Sequence, residues 1–488
     1  MKETEMLKDM HTAVAGDEEP GEILQSRERH FNLWSTLGIN YSAIGTPLSI
    51  GTYLSFSFAL GGSPAYIYGY LVAGFMQIIV CLSLSELAAA YPHSSGQVYW
   101  TSIFAPRRYS RSLSYWTGAF TASAWFFWMC GTYLFTTQLL FATVSMARVQ
   151  FTAEKYQVYL GYVAAAIVSL VLNTTLFKHY SALLRLMVIL VNAGAVITMV
   201  VLLVRSSPKR TAQTVFVDFI EDSGWKSSGF AFLLGLLPGV TAINGFDSST
   251  HVTDELPNPE KQVPQVMVGT AILAYLAGLP MTIVYMFCVV NEEALLDPVG
   301  GQPIAQLFLD SCNSLPLAVF LMVIFTFVFL IAASAMTTTS SRVFWSLANE
   351  KHLACSAWLE KLTTSRSLPI NAICFTVIAG CAIGLLSFGS ALALSAMLNT
   401  AAICFFISFL IPLICVVTKR DILKKRAHYM NLGSTGLALN CIAISWMLLM
   451  SVVLLFPGSL PVTTANMNYA IAVLGGVMIV FGVSVHEV

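Results

Sequence analysis

The chain has 488 residues, of which 56% are hydrophobic and only 10% are charged, and its formal net charge is zero. A soluble domain is about 45–50% apolar and about 25% charged, so this composition excludes an ordinary soluble fold and predicts a protein embedded in the lipid bilayer. The balanced charge gives no reason to expect nucleic acid as a partner.

Residues 1–34 are polar and acidic, with Asp17, Glu18 and Glu19 in a row and no apolar core. This predicts a disordered tail and not a cleaved signal peptide. Twelve apolar runs of about 20 residues follow, the length that a helix needs to cross a bilayer. We call them spans 1 to 12, and they cover 36–60, 64–90, 115–146, 157–177, 182–204, 229–250, 265–290, 315–345, 369–389, 391–417, 433–456 and 466–485. The sequence thus predicts an all-α polytopic membrane protein with twelve transmembrane helices.

Spans 1 and 6 are each interrupted in the middle. Span 1 contains Ser42-Ala43-Ile44-Gly45-Thr46-Pro47, and span 6 contains Asn244-Gly245-Phe246-Asp247 shortly after Pro238-Gly239. A broken helix exposes backbone groups that lipid cannot satisfy, so the break must face protein or a water-filled cavity. Paired Gly/Pro interruptions in corresponding positions of two halves indicate the binding site of a secondary transporter.

The distribution of Lys and Arg predicts the orientation. Loops after even-numbered spans carry 15 of the 25 Lys and Arg residues, and loops after odd-numbered spans carry six. The positive-inside rule therefore places both termini in the cytoplasm. Spans 1 and 6 then cross the membrane in opposite senses. This predicts repeat 1 over 35–204 (spans 1–5), an external loop over 205–228, an inverted repeat 2 over 229–417 (spans 6–10), and two added spans over 418–488.

Several segments resemble the amino acid–polyamine–organocation superfamily, in particular its fungal amino acid/choline permease branch, which includes transporters of γ-aminobutyrate and choline. They are Gly45-Thr46-Pro47, Glu86-Leu87-Ala88-Ala89-Ala90-Tyr91-Pro92 with Ser95-Gly96-Gln97, Asn244-Gly245-Phe246-Asp247, Thr253-Asp254-Glu255-Leu256-Pro257-Asn258-Pro259 with Val263-Pro264, and Ser341-Arg342-Val343-Phe344-Trp345. The resemblance implies the leucine-transporter-type fold of two inverted five-helix repeats and a coupled permease.

The break in span 1 is the first part of the predicted substrate site, and we assign Ile44, Gly45, Thr46 and Pro47 to it. Freed N–H groups at the positive end of a half-helix attract anions, and the resemblance implies that a substrate carboxylate binds there. Pro47 stands where many relatives have a second glycine, and it lacks an N–H group. An α-amino acid is therefore less favoured, and a substrate without a carboxylate, such as choline, is an alternative.

The break in span 6 is the second part. Ile243, Asn244 and Gly245 would offer carbonyls to an ammonium group, and the Asn244 amide adds an acceptor and two donors. A carboxylate such as Asp247 near the membrane centre usually faces a cavity. It would pair with a cationic substrate, carry the coupling proton, or cap the second half-helix of span 6. Trp125 in span 3 would either hold an ammonium by cation–π attraction or simply pack.

The coupling ion is expected from the resemblance to be a proton, with Asp247 as its candidate carrier. Sodium is the alternative, because the hydroxyls of Thr338 and Thr339 in span 8 would complete a sodium site with span 1 carbonyls unless they bond to their own helix. The ten cysteines form no CxxC pair, and no HExxH or GxSxG motif is present. No catalytic residue, metal site or cofactor is therefore predicted.

These observations predict a secondary active transporter of the plasma membrane. It would move a small amine-bearing solute, such as an amino acid, γ-aminobutyrate or choline, by alternating access coupled to the proton gradient. The alternative is a transporter-like receptor that binds a nutrient and signals without net flux.

Overall fold

The computed structural model describes residues 31–58, 60–148, 151–220, 222–353, 355–363, 367–389, 391–464 and 466–484, without the side chains of 57, 387, 389, 391–395 and 484. Residues 1–30 of the predicted tail lie outside the described residues. Residues 31–34 belong to the helical bundle, because Phe31 is buried and the Asn32 side chain caps the first helix by accepting from the Ser35 amide.

The described residues form α-helices joined by turns and three 3₁₀ segments, Ile50–Tyr53, Phe246–Glu255 and Val299–Gly301. The α-helices are α1 (Leu33–Ile44), α2 (Thr46–Ser49), α3 (Leu54–Phe58), α4 (Gly62–Ala90), α5 (Gln97–Phe104), α6 (Ser110–Ala147), α7 (Lys155–Asn173), α8 (Phe177–Arg205), α9 (Ala212–Phe216), α10 (Ser228–Leu234), α11 (Leu237–Ala242), α12 (Pro259–Cys288), α13 (Glu292–Leu296), α14 (Pro303–Cys312), α15 (Leu315–Asn349), α16 (Ser356–Leu359), α17 (Ile370–Gly384), α18 (Leu386–Gly389), α19 (Ala391–Thr418), α20 (Arg420–Lys424), α21 (Thr435–Val453) and α22 (Ala470–Ser484).

Eight helical segments in the described part of the chain are long and apolar enough to cross a membrane. They are α4, α7, α8, the segment Ser228–Glu255, α12, α15, Ala396–Thr418 within α19, and α21, which match predicted spans 2, 4, 5, 6, 7, 8, 10 and 11. Span 1 is divided at its break, and span 3 is the 38-residue α6 with many Ser and Thr residues. Span 9 corresponds to the 15-residue α17 followed by the short α18, and span 12 corresponds to the 15-residue α22. Twelve crossings remain a prediction.

The helices pack in a regular pattern around the two broken spans. The segment Phe246–Glu255 packs on α1, α12 packs on α4, α15 packs on α6, and α17 packs on α7. Each of these contacts joins a predicted span to the span five positions further along the chain. α6 also packs along α19, so α1, α6, α15 and α19 surround the centre of the bundle.

Several loops rich in Lys and Arg meet at one end of the bundle, which we call the basic end. The Lys419 Nζ atom donates to the Ala105 carbonyl at 2.7 Å, and the Tyr115 and His352 ring centroids are 6.0 Å apart. These contacts bring together the segments that follow α5, α15 and α19. The opposite end carries α3, α10, α13 and α14.

Candidate substrate site

The helix of span 1 is broken at Gly45, as the sequence predicts. α1 ends at Ile44, Gly45 adopts a left-handed conformation with φ of 55°, and α2 begins at Thr46 with Pro47 in its first turn. A side chain is strained in this conformation, which favours glycine. The Gly45 N–H group donates to the Tyr41 carbonyl at 2.8 Å, and its carbonyl accepts from the Ser49 amide at 2.9 Å. The Gly45 amide is therefore already used within the protein.

The break in span 6 has the same form. α11 ends at Ala242, Gly245 has φ of 92°, and a 3₁₀ segment starts at Phe246. The Asn244 Oδ1 atom accepts from the Gly245 amide at 3.2 Å. The Asn244 Nδ2 atom is buried without a partner among the described residues, so a donor is available at this break.

Span 1 side chains satisfy backbone carbonyls on both sides of the span 6 break. The Thr46 hydroxyl donates to the Ala242 carbonyl. The Asn40 Nδ2 atom donates to the Phe246 carbonyl at 2.6 Å and lies 3.3 Å from the Ser249 hydroxyl oxygen. Because no water competes in a buried site, an unpaired carbonyl there would cost about 1–3 kcal/mol. The hydrogen bonds between the two breaks therefore stabilise both.

A cavity lies beside the span 1 break, between α1, α6, α11 and α15. Four aromatic side chains, Tyr53, Trp128, Phe135 and Phe329, form a large part of its wall. The remaining lining residues are Ser42, Ala43, Ile44, Gly45, Ser49, Thr52, Thr132, Thr241, Val328, Ala332, Met336 and Leu398. None of these lining residues is charged. The Ser42 hydroxyl has no hydrogen-bond partner within the described ranges.

The predicted site residues divide into two groups. Ile44 and Gly45 line the cavity. The others lie outside its lining, and they are Thr46, Pro47, Trp125, Ile243, Asn244, Gly245 and Asp247. The aromatic residues of α6 that line the cavity are Trp128 and Phe135, and neither was assigned to the site from the sequence. Residues three positions apart share a helix face, so helical spacing from Trp125 was the available signal.

Asp247 lies next to Trp125 and is fully buried. Its Oδ2 atom accepts from Gln97 Nε2 at 2.7 Å and from Trp125 Nε1 at 3.3 Å. Its Oδ1 atom has no partner in the part of the chain that the structure describes. The N-cap residue of the 3₁₀ segment is Gly245, and no side chain caps the segment. Asp247 is thus bonded to neighbouring helices and does not cap its own.

The hydroxyls of Thr338 and Thr339 donate to carbonyls of their own helix, to Ser334 at 3.0 Å and to Ala335 at 3.2 Å, and they also contact side chains outside span 1. Thr338 Oγ1 lies 2.8 Å from the Tyr180 hydroxyl and 2.7 Å from Asn173 Oδ1, and Thr339 Oγ1 lies 2.6 Å from Ser248 Oγ. No group of three or more His, Cys, Asp or Glu side chains that could hold a metal ion occurs among the described residues. The sodium role of the two threonines stays a prediction.

The cavity is separated from the opposite end by a thin layer of side chains. A second cavity, lined by residues of α3, α10, α11, α19 and 453–469, shares Tyr53, Phe135 and Leu398 with the first. These three side chains therefore lie between the central cavity and the second cavity.

Toward the basic end the contacts are of a different kind. Two buried ion pairs cross between helices, with Arg342 Nε 3.2 Å from Glu255 Oε1 and Arg420 Nη2 3.2 Å from Glu86 Oε2. The Phe31 amide also contacts the Glu255 carbonyl at 3.4 Å, which joins the start of span 1 to the end of the broken span 6. The described conformation is therefore closed toward the basic end.

The two broken spans meet at a central cavity that different groups close on its two sides. These features are typical of membrane transport proteins. A family model described as "Amino acid permease" matches residues 31–479, and the chain belongs to this family. This confirms the resemblance to the amino acid–polyamine–organocation superfamily.

The relatives are permeases of fungi and plants. The chain is 27% identical to the choline transporter of Saccharomyces cerevisiae over 97% of this chain and 84% of that protein. It is 26% identical to amino-acid permease 2 of Neurospora crassa, over 93% of this chain and 83% of the relative. It is also 26% identical to the amino-acid permease BAT1 of Arabidopsis thaliana, over 93% and 90% of the two chains.

Proposed function

We propose that this permease transports a small organic cation of the choline type. The observation that carries the proposal is the uncharged cavity at the span 1 break, with Tyr53, Trp128, Phe135 and Phe329 in its wall. Aromatic faces attract a quaternary ammonium by about 0.5–2 kcal/mol per contact, more when water is excluded. The similarity to a choline transporter supports the same substrate class.

The groups that would bind a carboxylate are few. The Gly45 amide donates to Tyr41, Pro47 has no N–H group, and the residues that line the cavity include no Arg or Lys. A substrate carboxylate would lose its water without gaining full hydrogen bonding, which is costly. These features favour choline over γ-aminobutyrate and over neutral amino acids.

The proposed mechanism is alternating access, driven by a proton gradient at the plasma membrane. The thin layer at Tyr53, Phe135 and Leu398 would be the outer gate, and the ion pairs Arg342–Glu255 and Arg420–Glu86 would hold the basic end closed. Loops rich in Lys and Arg favour a cytoplasmic location for that end. The contacts of spans 1, 2, 3 and 4 with spans 6, 7, 8 and 9, respectively, support the inverted repeat of spans 1–5 and 6–10.

Uptake into proteoliposomes tests the substrate. With an imposed pH gradient, labelled choline should accumulate in preference to γ-aminobutyrate and alanine. Trp128→Ala should weaken the apparent affinity for choline by about 10-fold, since 1.4 kcal/mol corresponds to a factor of ten, whereas Trp128→Phe retains an aromatic face and should lose less. Accumulation of alanine or γ-aminobutyrate without choline would overturn the substrate assignment.

A further inference from the structure

A buried histidine lies beside the carboxylate of Asp247. His251 is one helical turn further along the segment Phe246–Glu255, and its Nε2 atom is 3.4 Å from Asp247 Oδ2. Its other ring nitrogen, Nδ1, is 3.2 Å from the Ser94 carbonyl oxygen. Both side chains are almost completely buried, with side-chain exposures of 1% and 0%.

The hydrogen-bond partners determine how many protons this pair holds. The Ser94 carbonyl can only accept, so we assign a proton to His251 Nδ1. If the ring carried no second proton and Asp247 were ionised, two acceptors, Nε2 and Oδ2, would face each other. That arrangement is repulsive, so one further proton belongs to the pair, either on the carboxyl or on the imidazole ring. With this proton the pair is neutral.

No unpaired cation among the described residues faces the pair to balance the charge that loss of this proton would leave. Gln97 from α5 and Trp125 from α6 donate to Oδ2 but carry no charge. The thiol of Cys81 from α4 interacts electrostatically with Asp247 and can only add negative charge. Arg342 of α15 is paired with Glu255, and His93 of the α4–α5 turn contacts Ser95 and stacks on Tyr99. Loss of the proton would leave a buried negative charge without a described cation to balance it.

The pair also lies on the side of the cavity that faces the basic end. Asp247 is bonded to Gln97 of α5, and His251 is bonded to the Ser94 carbonyl just before α5. Nine of the buried polar atoms that lack a partner in the described chain belong to this region, and they are Asn40 Oδ1, Ser42 Oγ, Gln97 Oε1, Asn244 Nδ2, Asp247 Oδ1, His251 Nε2, Glu255 Oε2, Ser340 Oγ and Arg342 Nη2. Opening toward the basic end would separate span 6 from α5 and let water reach these atoms.

We propose that Asp247 and His251 together bind the transported proton, which is released to water when the basic end opens. This rests on the proposed function as a cation carrier and adds the identity of its coupling site. The pair holds one dissociable proton in the closed conformation, and each transport cycle moves that proton with the solute. His251 is thus a partner of Asp247 in coupling and not a substrate contact.

The test compares three variants in proteoliposomes loaded with a pH-sensitive dye. His251→Gln and Asp247→Asn should each abolish choline-dependent acidification of the lumen and accumulation driven by a pH gradient. Exchange of labelled choline at equal pH on both sides needs no net proton movement, and in His251→Gln it should stay within about threefold of wild type. His93→Gln, a matched change at the same end, should leave proton movement intact.

Two outcomes would overturn the coupling site. One is a His251→Gln protein that moves protons with choline in the wild-type ratio, and the other is a wild-type protein that transports choline without protons. A wild-type protein that exchanges no choline would instead contradict the proposed function. Infrared titration without solute then still tests the pair, because the pH-dependent carboxyl band that Asp247→Asn removes must also change in His251→Gln. Unchanged bands would refute the shared proton.

Discussion

Replacing Thr46 by valine tests whether the two broken spans stabilise each other. Valine keeps the branched shape but removes the hydroxyl that donates to the Ala242 carbonyl. α11 ends at Ala242, so no later amide of that helix can take over the bond. A buried acceptor without a partner costs about 1–3 kcal/mol. We therefore expect the free energy of unfolding to fall by that amount.

Thr46→Ser is the matched control. It keeps the hydroxyl but removes the methyl group that lies against Gly278, a loss of about 0.8 kcal/mol for one buried carbon. The assay is unfolding of the purified proteins in detergent, together with choline exchange in proteoliposomes. Thr46→Val should be the less stable variant and the slower exchanger. If it is as stable as Thr46→Ser, the hydroxyl does not hold the breaks together and the reasoning is refuted.

Two further predictions concern charged groups at the basic end. Burial raises the pKa of Glu350 to about 7, so between the ordinary carboxyl range and pH 7 the folded protein binds more protons than the unfolded chain. The thermal stability of the protein should therefore fall as the pH rises through that window. Glu350→Gln should flatten this dependence, and an unchanged slope would contradict the prediction. Arg420→Gln leaves the buried Glu86 carboxylate without its ion-pair partner and should lower the free energy of unfolding by about 3–5 kcal/mol. The double variant with Glu86→Gln should recover much of that loss. Equal stability of the single and double variants would count against a buried ion pair.

Local sequence rules predicted where the helices break, because the break depends on residues that are adjacent in the chain. Gly45 and Gly245 adopt positive φ values at the two predicted positions. The long apolar runs predicted the eight membrane-length helices for the same reason, since length and composition are local properties. Span 9 is divided at Leu385 into α17 and α18, and α22 begins four residues after the predicted start of span 12, because apolar runs do not by themselves determine where a helix begins or ends.

The choice between neighbouring side chains could not be made from the sequence. Trp125 and Trp128 lie on nearly the same face of α6, and only the packing of α6 against α1, α15 and α19 turns Trp128 toward the cavity and Trp125 toward Asp247. The chain has eight histidines, and no local motif distinguishes His251 from the others. Only the structure shows that the imidazole ring, one turn beyond Asp247, has the Ser94 carbonyl on its other side.

The sequence by itself determined the class of protein, the positions of the two breaks and the neutral, apolar character of the chain, since these follow from composition and from short motifs. The tertiary structure decided which side chains meet across the breaks. Thr46 and Ala242 are almost 200 positions apart, and their hydrogen bond depends on how α1 and α11 pack. Contacts of that kind arise from the whole arrangement of helices, so no local pattern encodes them.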